Sequence, residues 1–450
     1  MKVIQINKFY FTKGQGGGAS RYFFDLIKLL ESNGHEVIPF SMQHKDNLAT
    51  PFAKYFVSNV NLTRPRLTWR SIINLGRVFW SREAAQKLEK LIQDTKPDLV
   101  HLHNIYYHLT PSILKVCKKY HLPVVMTVHD FNLICPNYSL YCQGKICVDC
   151  HSRLDRESRV SRVGGRYYNC FLKKCVKDSY LVSLIAVAEA YFRKWGKFYQ
   201  KYVDLFLCPS QFVADKLILA GFPMDKIKVL PHFCNGFAGS DTRERVVEVV
   251  RKRDTVSRNR RELSLVTPIA TATKYYLYFG RLEPGKGVDL LIKAAKRLPK
   301  INLKIIGSGS QEAVLKKLAQ NNTNIKFLGW QDKQDLAQQV ADAEFVIMPS
   351  RAYETFGLAV LEAFSFAKPV IAANLGALPE LVKDRETGLL FDAGGIDDLS
   401  DKIKYLWGNH DLARQMGQAG QKMVREKYSA AEHYKQLLNF YSSIDFMSIV

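Results

Sequence analysis

The sequence predicts an α/β chain of two domains in series, each built on a doubly wound parallel sheet. Three observations predict it. Short apolar strands alternate with helical patterns through both halves, as in a parallel sheet covered by helices. The chain has 450 residues, more than the roughly 250–300 that one hydrophobic core accommodates. The alternation also stops over 237–273, where Arg, Glu, Asp, Ser and Thr displace large apolar residues, as in a solvated linker or surface excursion. The predicted organisation is a first domain over 1–236 with a Cys-rich insertion at about 131–177. The basic linker over 237–273 follows, then a second domain over 274–430. A closing helix over 431–450 is expected to pack back toward the first domain.

The elements follow in order. Lys2–Asn7 is an apolar strand leading into the loop Lys13-Gly14-Gln15-Gly16-Gly17-Gly18. Ala19–Ser32 then has helical spacing, with Phe23, Leu26, Ile27 and Leu30 on one face, and Gly34 supplies the stop. Further strands are expected at Glu36–Ser41, Asp98–His103, Pro123–His129 and Asp204–Pro209, with helices at 82–94, 110–119 and 210–219. The second half repeats the pattern. Its strands are Tyr275–Gly280, Leu303–Gly307, Ile325–Leu328, Phe345–Pro349 and Pro369–Ala373. Its helices are 287–297, 310–320, 333–341, 356–366 and 396–406, and the chain stays helical from about 408.

Composition narrows the function classes. Hydrophobic residues make up 47% and charged residues 24%, which excludes disordered, collagen-like and coiled-coil chains. The N-terminus lacks the apolar core and small-residue cleavage site of a signal peptide, and no apolar run reaches the 18 or so residues of a membrane span. A cytoplasmic protein, peripheral on the membrane face, is therefore predicted, with its nine cysteines reduced or metal-bound rather than disulfide-paired. The net charge of +23 is concentrated in residues 1–236, which hold 34 Lys/Arg against 17 Asp/Glu. Such a surface suits an anionic membrane face, a phosphorylated substrate or nucleic acid.

The chemistry-bearing motifs sit where predicted strands end. Ligands of open α/β sheets bind at the carboxyl ends of strands, and helix N-termini there attract phosphate. After the strand ending at Pro349 come Glu354 in a loop, then Phe356, Gly357 and Leu358 opening a helix, and Glu362 two turns inside it. Glu362 lies among Val360, Leu361, Ala363 and Phe364, a costly place for an idle charge. The segment Gly280-Arg281-Leu282-Glu283-Pro284-Gly285-Lys286-Gly287 places two cations on another such loop, suited to a diphosphate leaving group. Gly307-Ser308-Gly309 and Asn374-Leu375-Gly376 are further strand-to-helix turns, and the Gly16–Gly18 loop suits either a phosphate-cradling turn or a plain flexible one.

These motifs resemble the retaining nucleotide-sugar glycosyltransferases of the GT-B fold, glycosyltransferase family 4, also called group 1. The marks are Glu354 and Glu362, Gly280-Arg281-Leu282 with Lys286-Gly287, the Gly16–Gly18 loop and Val128-His129-Asp130; they are tightest over about 274–395. The resemblance implies two Rossmann-like domains facing a central cleft, an N-terminal acceptor domain and a C-terminal donor domain. It implies transfer with retention from a nucleotide sugar, UDP expected ahead of GDP, to a saccharide or lipid-linked acceptor in polysaccharide or glycolipid biosynthesis. Arg281 and Lys286 would neutralise the diphosphate. Glu362 would bind the ribose, Glu354 the transferred sugar, and His129 would sit near the reacting centre. Gly17 and Gly18 would line the cleft, and Gly280, Gly307, Phe356, Gly357 and Leu358 belong to the donor-binding set. No cofactor is implied for catalysis. The chain departs from the family at Thr355 and Ala377, where glycine is frequent, which bears on sugar specificity more than on activity. His101 and His103 end a strand at the same edge as His129 and are candidate acceptor contacts.

Two features stand apart. Cys135, Cys142, Cys147, Cys150, Cys170 and Cys175 fall within about 40 residues; thiolates at a looser spacing than a zinc ribbon suit a structural zinc site on Cys135, Cys147, Cys150 and Cys175, with Cys170 as substitute, or plain thiols. Residues 179–197 read as an apolar helix flanked by Arg193, Lys194, Trp195 and Lys197, fit for a membrane interface or for packing on the first domain. Two other function classes compete: a catalytically silent GT-B protein that binds a partner, and a basic nucleic-acid-binding protein. The Glu354 and Glu362 pair argues against both, and no nucleic-acid partner is expected.

Overall fold

The computed structural model describes residues 1–11, 17–59, 76–151, 165–234 and 273–444. All but the last residue of the predicted linker, and Gly16 of the glycine loop, lie outside the described residues. The chain divides into two compact units. One comprises Met1–His232 with the stretch from Ala430 onward, the other Phe233–Ser429.

The first unit carries a six-stranded parallel sheet. Its strands are β1 (Lys2–Ile6), β2 (Glu36–Phe40), β3 (Leu99–Leu102), β4 (Val124–Thr127), β7 (Leu205–Cys208) and β8 (Ile227–Val229), in spatial order β2-β1-β3-β4-β7-β8. Between β4 and β7 lies a two-stranded hairpin, β5 (Tyr141–Cys142) with β6 (Lys145–Ile146). The helices are α1 (Gly17–Ser32), α2 (Arg82–Thr95), α3 (Ser112–Lys119), α4 (Tyr168–Leu172), α5 (Tyr180–Gly196), α6 (Phe198–Tyr202) and α7 (Gln211–Leu219). Every residue of β3, β4 and β7 is buried, because a parallel sheet covered on both faces has no wet side. Serines cap three of the helices: Ser81, Ser179 and Ser210 accept from the amides of Ala84, Val182 and Val213.

The second unit repeats the plan with β9 (Tyr276–Phe279), β10 (Leu303–Ile306), β11 (Ile325–Gly329), β12 (Val346–Met348), β13 (Val370–Ala373) and β14 (Gly388–Phe391). Their order is β11-β10-β9-β12-β13-β14, all parallel. This is the Rossmann order, in which the sheet reverses direction between its first and fourth strands; here that point falls between β9 and β12. The helices are α8 (Val288–Lys296), α9 (Glu312–Ala319), α10 (Lys333–Asp342), α11 (Leu358–Ser365), α12 (Leu378–Leu381), α13 (Ile396–Gly408) and α14 (His410–Lys427). Their apolar faces enclose one core with the sheet, including Tyr276, Phe345, Phe364 and Phe391.

The last helix, α15 (Ala430–Ser443), returns to the first unit. Polar pairs seat it there. His433 bonds the Tyr22 hydroxyl through Nε2 at 3.0 Å and the Pro231 carbonyl through Nδ1 at 2.8 Å. The Tyr434 hydroxyl meets His35 at 2.7 Å, and the Tyr441 hydroxyl meets His101 at 2.6 Å.

Candidate functional site

Four loops meet at the carboxyl edge of the second sheet, and glycines let them meet. Gly307 adopts φ +136°, and a Cβ there would stand 1.9 Å from the Gly280 carbonyl. Gly287 adopts φ +67°, and its Cβ would stand 1.9 Å from the Pro349 carbonyl. Backbone bonds tie the same loops together. The Gly285 carbonyl accepts from the amides of Arg351 and Ala352, each at 2.9 Å, and the Glu354 carbonyl accepts from Ala377 at 3.1 Å. The loops after β9 and β12 flank the point where strand order reverses, the usual place for a ligand in an open α/β sheet.

The side chains here form a compact electrostatic unit. Lys286 donates to Glu354 Oε1 at 2.7 Å, and the Ser350 hydroxyl donates to the same oxygen at 2.5 Å. Burial pushes the Glu354 carboxyl upward, but Lys286, Ser350 and Arg281 together win and hold it below the ordinary carboxylate value. Arg281 is exposed and makes no ion pair among the described residues. Neighbouring pairs brace the loops: Arg351 with Asp289 at 2.9 Å, and Ser310 Oγ with Glu283 at 2.5 Å.

Two helices begin at this edge, α8 behind Gly287 and α11 behind Gly357, and neither N-cap has a side chain to offer. Elsewhere in this unit Asp332 caps α10 by accepting two amide hydrogens. Glycine in the cap position leaves the first amides of α8 and α11 for an anion. Phe356 is buried beneath the start of α11, Leu358 opens that helix, and Glu362 is 6% exposed within it.

The sequence expectations therefore converge in part. Gly280, Arg281, Lys286, Gly307, Glu354, Phe356, Gly357, Leu358 and Glu362 all fall on the edge loops or on the helix that starts there. Lys286 and Glu354, assigned separate tasks by the resemblance, are partners of each other. Sequence reasoning missed Ser350, Gly287's clash partner Pro349 and the bracing Arg351. A hydroxyl four residues before Glu354, directly after a strand, was the available signal for Ser350. After β13, Gly376 adopts φ +63°, and a Cβ there would press on Glu354, 2.9 Å from its carbonyl oxygen.

In the first unit Gly17 and Gly18 open α1, exposed. His129 is 8% exposed. Its Nε2 meets His103 Nδ1 at 2.8 Å, and His103 Nε2 meets Gln5 Oε1 at 2.7 Å. The rings of Tyr22 and His232 pack against it at 5.4 and 5.2 Å. His101 and His103 are interior as well, His101 bonding Thr127 at 2.7 Å. Their expected contact with an acceptor is corrected to a structural role, since both imidazoles spend their nitrogens on buried partners.

Burial lowers the whole imidazole cluster, to about 3 for His101 and His129 and about 4 for His433, with His103 and His232 also well below the ordinary value. These histidines fold neutral, whereas in the unfolded chain they take protons near pH 6.5. The unfolded state binds more protons below that pH, so stability falls as pH drops from about 6.5 toward 4. We expect the melting temperature of the first unit to fall steeply over that window. A melt that stays flat between pH 7 and 4.5 would contradict it.

The six cysteines of the insertion do gather. Cys175 contacts both Cys170 and Cys142, and Cys150 lies in the field of Cys135, Cys147 and Cys175. Burial drives Cys135 and Cys142 up to about 12. Yet among the described residues no group of three or more His, Cys, Asp or Glu is arranged to hold a metal ion. The expected zinc set Cys135, Cys147, Cys150 and Cys175, or Cys170 in place of one, is thus not assembled. Cys175 bonds Cys170 and Cys142, and the Cys142 thiol donates to the Lys173 carbonyl at 3.9 Å.

A chain with two parallel six-stranded Rossmann-like sheets, and with an anion-ready edge at the switch point of the second, has the GT-B fold. Residues 16–235 match the family model described as Glycosyltransferase Family 4, and residues 259–423 match Glycosyl transferases group 1. The chain belongs to this family of retaining glycosyltransferases. It is 35% identical over 174 residues to a GDP-mannose-dependent monoacylated α-(1-6)-phosphatidylinositol monomannoside mannosyltransferase of Corynebacterium glutamicum, covering 36% of this chain and 45% of that one. It is 33% identical over 155 residues to the sulfoquinovosyl transferase SQD2 of Arabidopsis thaliana, covering 34% of this chain and 30% of that one. These matches span less than half the length of either relative. A solved structure of Anabaena HepE, in complex with UDP and glucose, shares the fold with a TM-score of 0.59 and 17% identity, covering 98% of this chain and all of that one.

Proposed function

We propose that the protein transfers a sugar, with retention, from a nucleotide-sugar donor to a saccharide or lipid-linked acceptor in polysaccharide or glycolipid biosynthesis. The carrying observation is the edge of the second sheet. The exposed Arg281, the Lys286–Glu354 pair and the uncapped starts of α8 and α11 stand together at the strand-order reversal. As the anomeric C–O bond breaks, negative charge collects on the departing diphosphate, and fixed donors aimed at that charge lower the barrier. Arg281 and the helix amides meet the diphosphate. Lys286 supplies charge while holding Glu354 ionised, and Glu354 then accepts from hydroxyls of the transferred sugar. Glu362 accepts from the ribose. The first unit contributes the acceptor side, with Gly17, Gly18 and His129 at its carboxyl edge. UDP is the proposed donor nucleotide, and the C. glutamicum relative, whose name specifies GDP-mannose, makes GDP the comparison to run. No helix among the described residues is long and apolar enough to cross a membrane, and the basic first unit suits action at an anionic lipid face.

The test is a thermal-shift panel with UDP, GDP, CMP and their sugar conjugates. A ligand at 100 times its Kd stabilises by about 2.7 kcal/mol, so one nucleotide class should raise the melting temperature selectively. If none does at millimolar concentration, a partner-binding GT-B protein without catalysis becomes the better reading. Glu362→Ala should weaken donor binding about tenfold, or roughly 1.4 kcal/mol, by removing a charged acceptor. Unchanged donor affinity in that variant would remove Glu362 from the ribose site.

A further inference from the structure

Helix α5 carries apolar residues on both its buried and its exposed face. Its buried face carries Ser183, Ala186, Val187, Glu189, Ala190 and Arg193. Its exposed face carries Tyr180, Leu181, Leu184, Ala188 and Trp195. Leu181, Leu184, Ala188 and Trp195 follow steps of three, four and seven residues, one stripe along the helix. Leu181 and Leu184 are about half exposed, and Trp195 is 78% exposed. The charges on the buried side, Glu189 and Arg193, pair with each other at 2.6 Å. The inner side is already packed, Ala186, Val187 and Ala190 clustering with Tyr167, Cys170 and Val176, so the exposed stripe is apolar surface beyond what the helix needs to hold its own unit.

The surroundings say what the stripe meets. Leu172 on α4 is exposed at 61% and extends the apolar surface, since Phe171 beside it packs on Tyr180 with ring centres 5.3 Å apart. Basic residues border both ends. Lys174 lies over the Tyr180 ring at 4.5 Å, with Lys177 nearby in sequence. Lys194 precedes Trp195, and Lys197 and Lys201 follow it. The exposed face of α5 itself carries no carboxylate, and Asp178 just precedes the helix. An aromatic residue at each end, Tyr180 and Trp195, suits the boundary between headgroups and acyl chains. A second copy of this surface would set lysine against lysine, so self-association is disfavoured by charge.

We propose that the exposed face of α5, continued by Leu172, seats the protein on an anionic lipid surface. The helix lies in the plane of the interface with its apolar stripe down and its lysines on the headgroup phosphates. The proposal rests on the reading of an acceptor presented at a membrane, and it adds the contact that brings the first unit there.

The experiment is flotation of the full chain with vesicles of phosphatidylcholine alone and of phosphatidylcholine mixed with phosphatidylglycerol, with no donor or acceptor present. The wild type should float with the mixed vesicles and scarcely with the neutral ones. Leu181→Ser, Leu184→Ser and Trp195→Ser together should cut binding at least about tenfold, with the melting temperature and its shift by donor nucleotide unchanged. Lys174→Glu with Lys197→Glu should abolish the preference for anionic lipid. A wild type that stays at the bottom of the gradient, or a triple-serine variant that floats as well as wild type, overturns the proposal. So does a wild-type dimer, seen by sedimentation, that the serines disperse; it would give the face to a second copy. Because vesicle binding is read without substrate, its failure leaves the transferase reading intact, and a failed donor titration leaves this surface intact.

Discussion

Lys286→Ala should lower kcat/KM by about 10²–10³ fold, the loss typical of removing one preorganised charged donor from a transition state. The substitution removes two things at once. It deletes a cation from the edge where the departing diphosphate gathers charge. It also strips Glu354 of the ammonium 2.7 Å away that, with Ser350 and Arg281, keeps its carboxyl below the ordinary value against the opposing pull of burial. In the variant that opposing pull prevails and the Glu354 carboxyl rises. The wild-type pair contributes stability that is fully present above the unfolded carboxylate value of 4.5 and is lost as pH falls through the lower folded value. The variant should therefore be less stable than wild type by about 1–3 kcal/mol at pH 7, and the gap should narrow as pH falls below 4.5 and Glu354 protonates. Lys286→Arg should recover part of the turnover, since it restores the charge at a changed reach. Steady-state kinetics with denaturant melts at pH 7 and pH 4 make the test. Near-normal turnover in Lys286→Ala would remove the residue from the mechanism.

Much of this site was legible in the sequence because its elements obey local rules. Strand and helix periodicity placed β9, β10, β12 and β13 within a residue or two, and so placed Gly280, Gly307 and Pro349 at strand ends. A charged residue in an apolar run, Glu362, marked itself by cost. Less legible were features set by long-range approach. That Lys286 pairs with Glu354, 68 residues away, depends on β9 and β12 being neighbours, and strand order is not written in the spacing of either strand. The strands β8 and β14 also escaped: both are sheet edges, and Lys228 and Gly388 interrupt the apolar run that marks a central strand. The cysteine spacing was ambiguous for a related reason. Six thiols near each other in sequence fix proximity, but whether their sulfurs converge on a metal or bond one another is decided by the fold of the hairpin and α4. The histidines teach the reverse lesson: His129 stands out by its motif, but its burial beside His103 and Tyr22 is set by the packing of β3, β4 and α1, which lie far apart in sequence.

Gly287→Ala should be strongly damaging for a single methyl, and it should act on stability and turnover together. The residue sits at φ +67°, which costs an L-residue about 1–2 kcal/mol. Its Cβ would also stand 1.9 Å from the Pro349 carbonyl oxygen, a backbone atom with no flexible end to swing aside. Relief requires the loop after β12 to move away from the loop after β9. That motion pulls against the two bonds from Arg351 and Ala352 to the Gly285 carbonyl and against the ion pair of Arg351 with Asp289. It carries Glu354 away from Lys286 and shifts the uncapped start of α8. Strain and overpacking together predict a loss of roughly 2–5 kcal/mol. Gly394→Ala is the matched control. Gly394 adopts φ +89° in the same unit, and nothing lies within 4 Å of its Cβ, so it carries the backbone strain alone. Gly287→Ala should fall well below it in melting temperature and should lose donor binding, while Gly394→Ala keeps donor binding near wild type. If the two variants melt together and bind donor alike, the close approach of the loops is not what holds Lys286 against Glu354, and the clamp at the strand-order reversal is wrong.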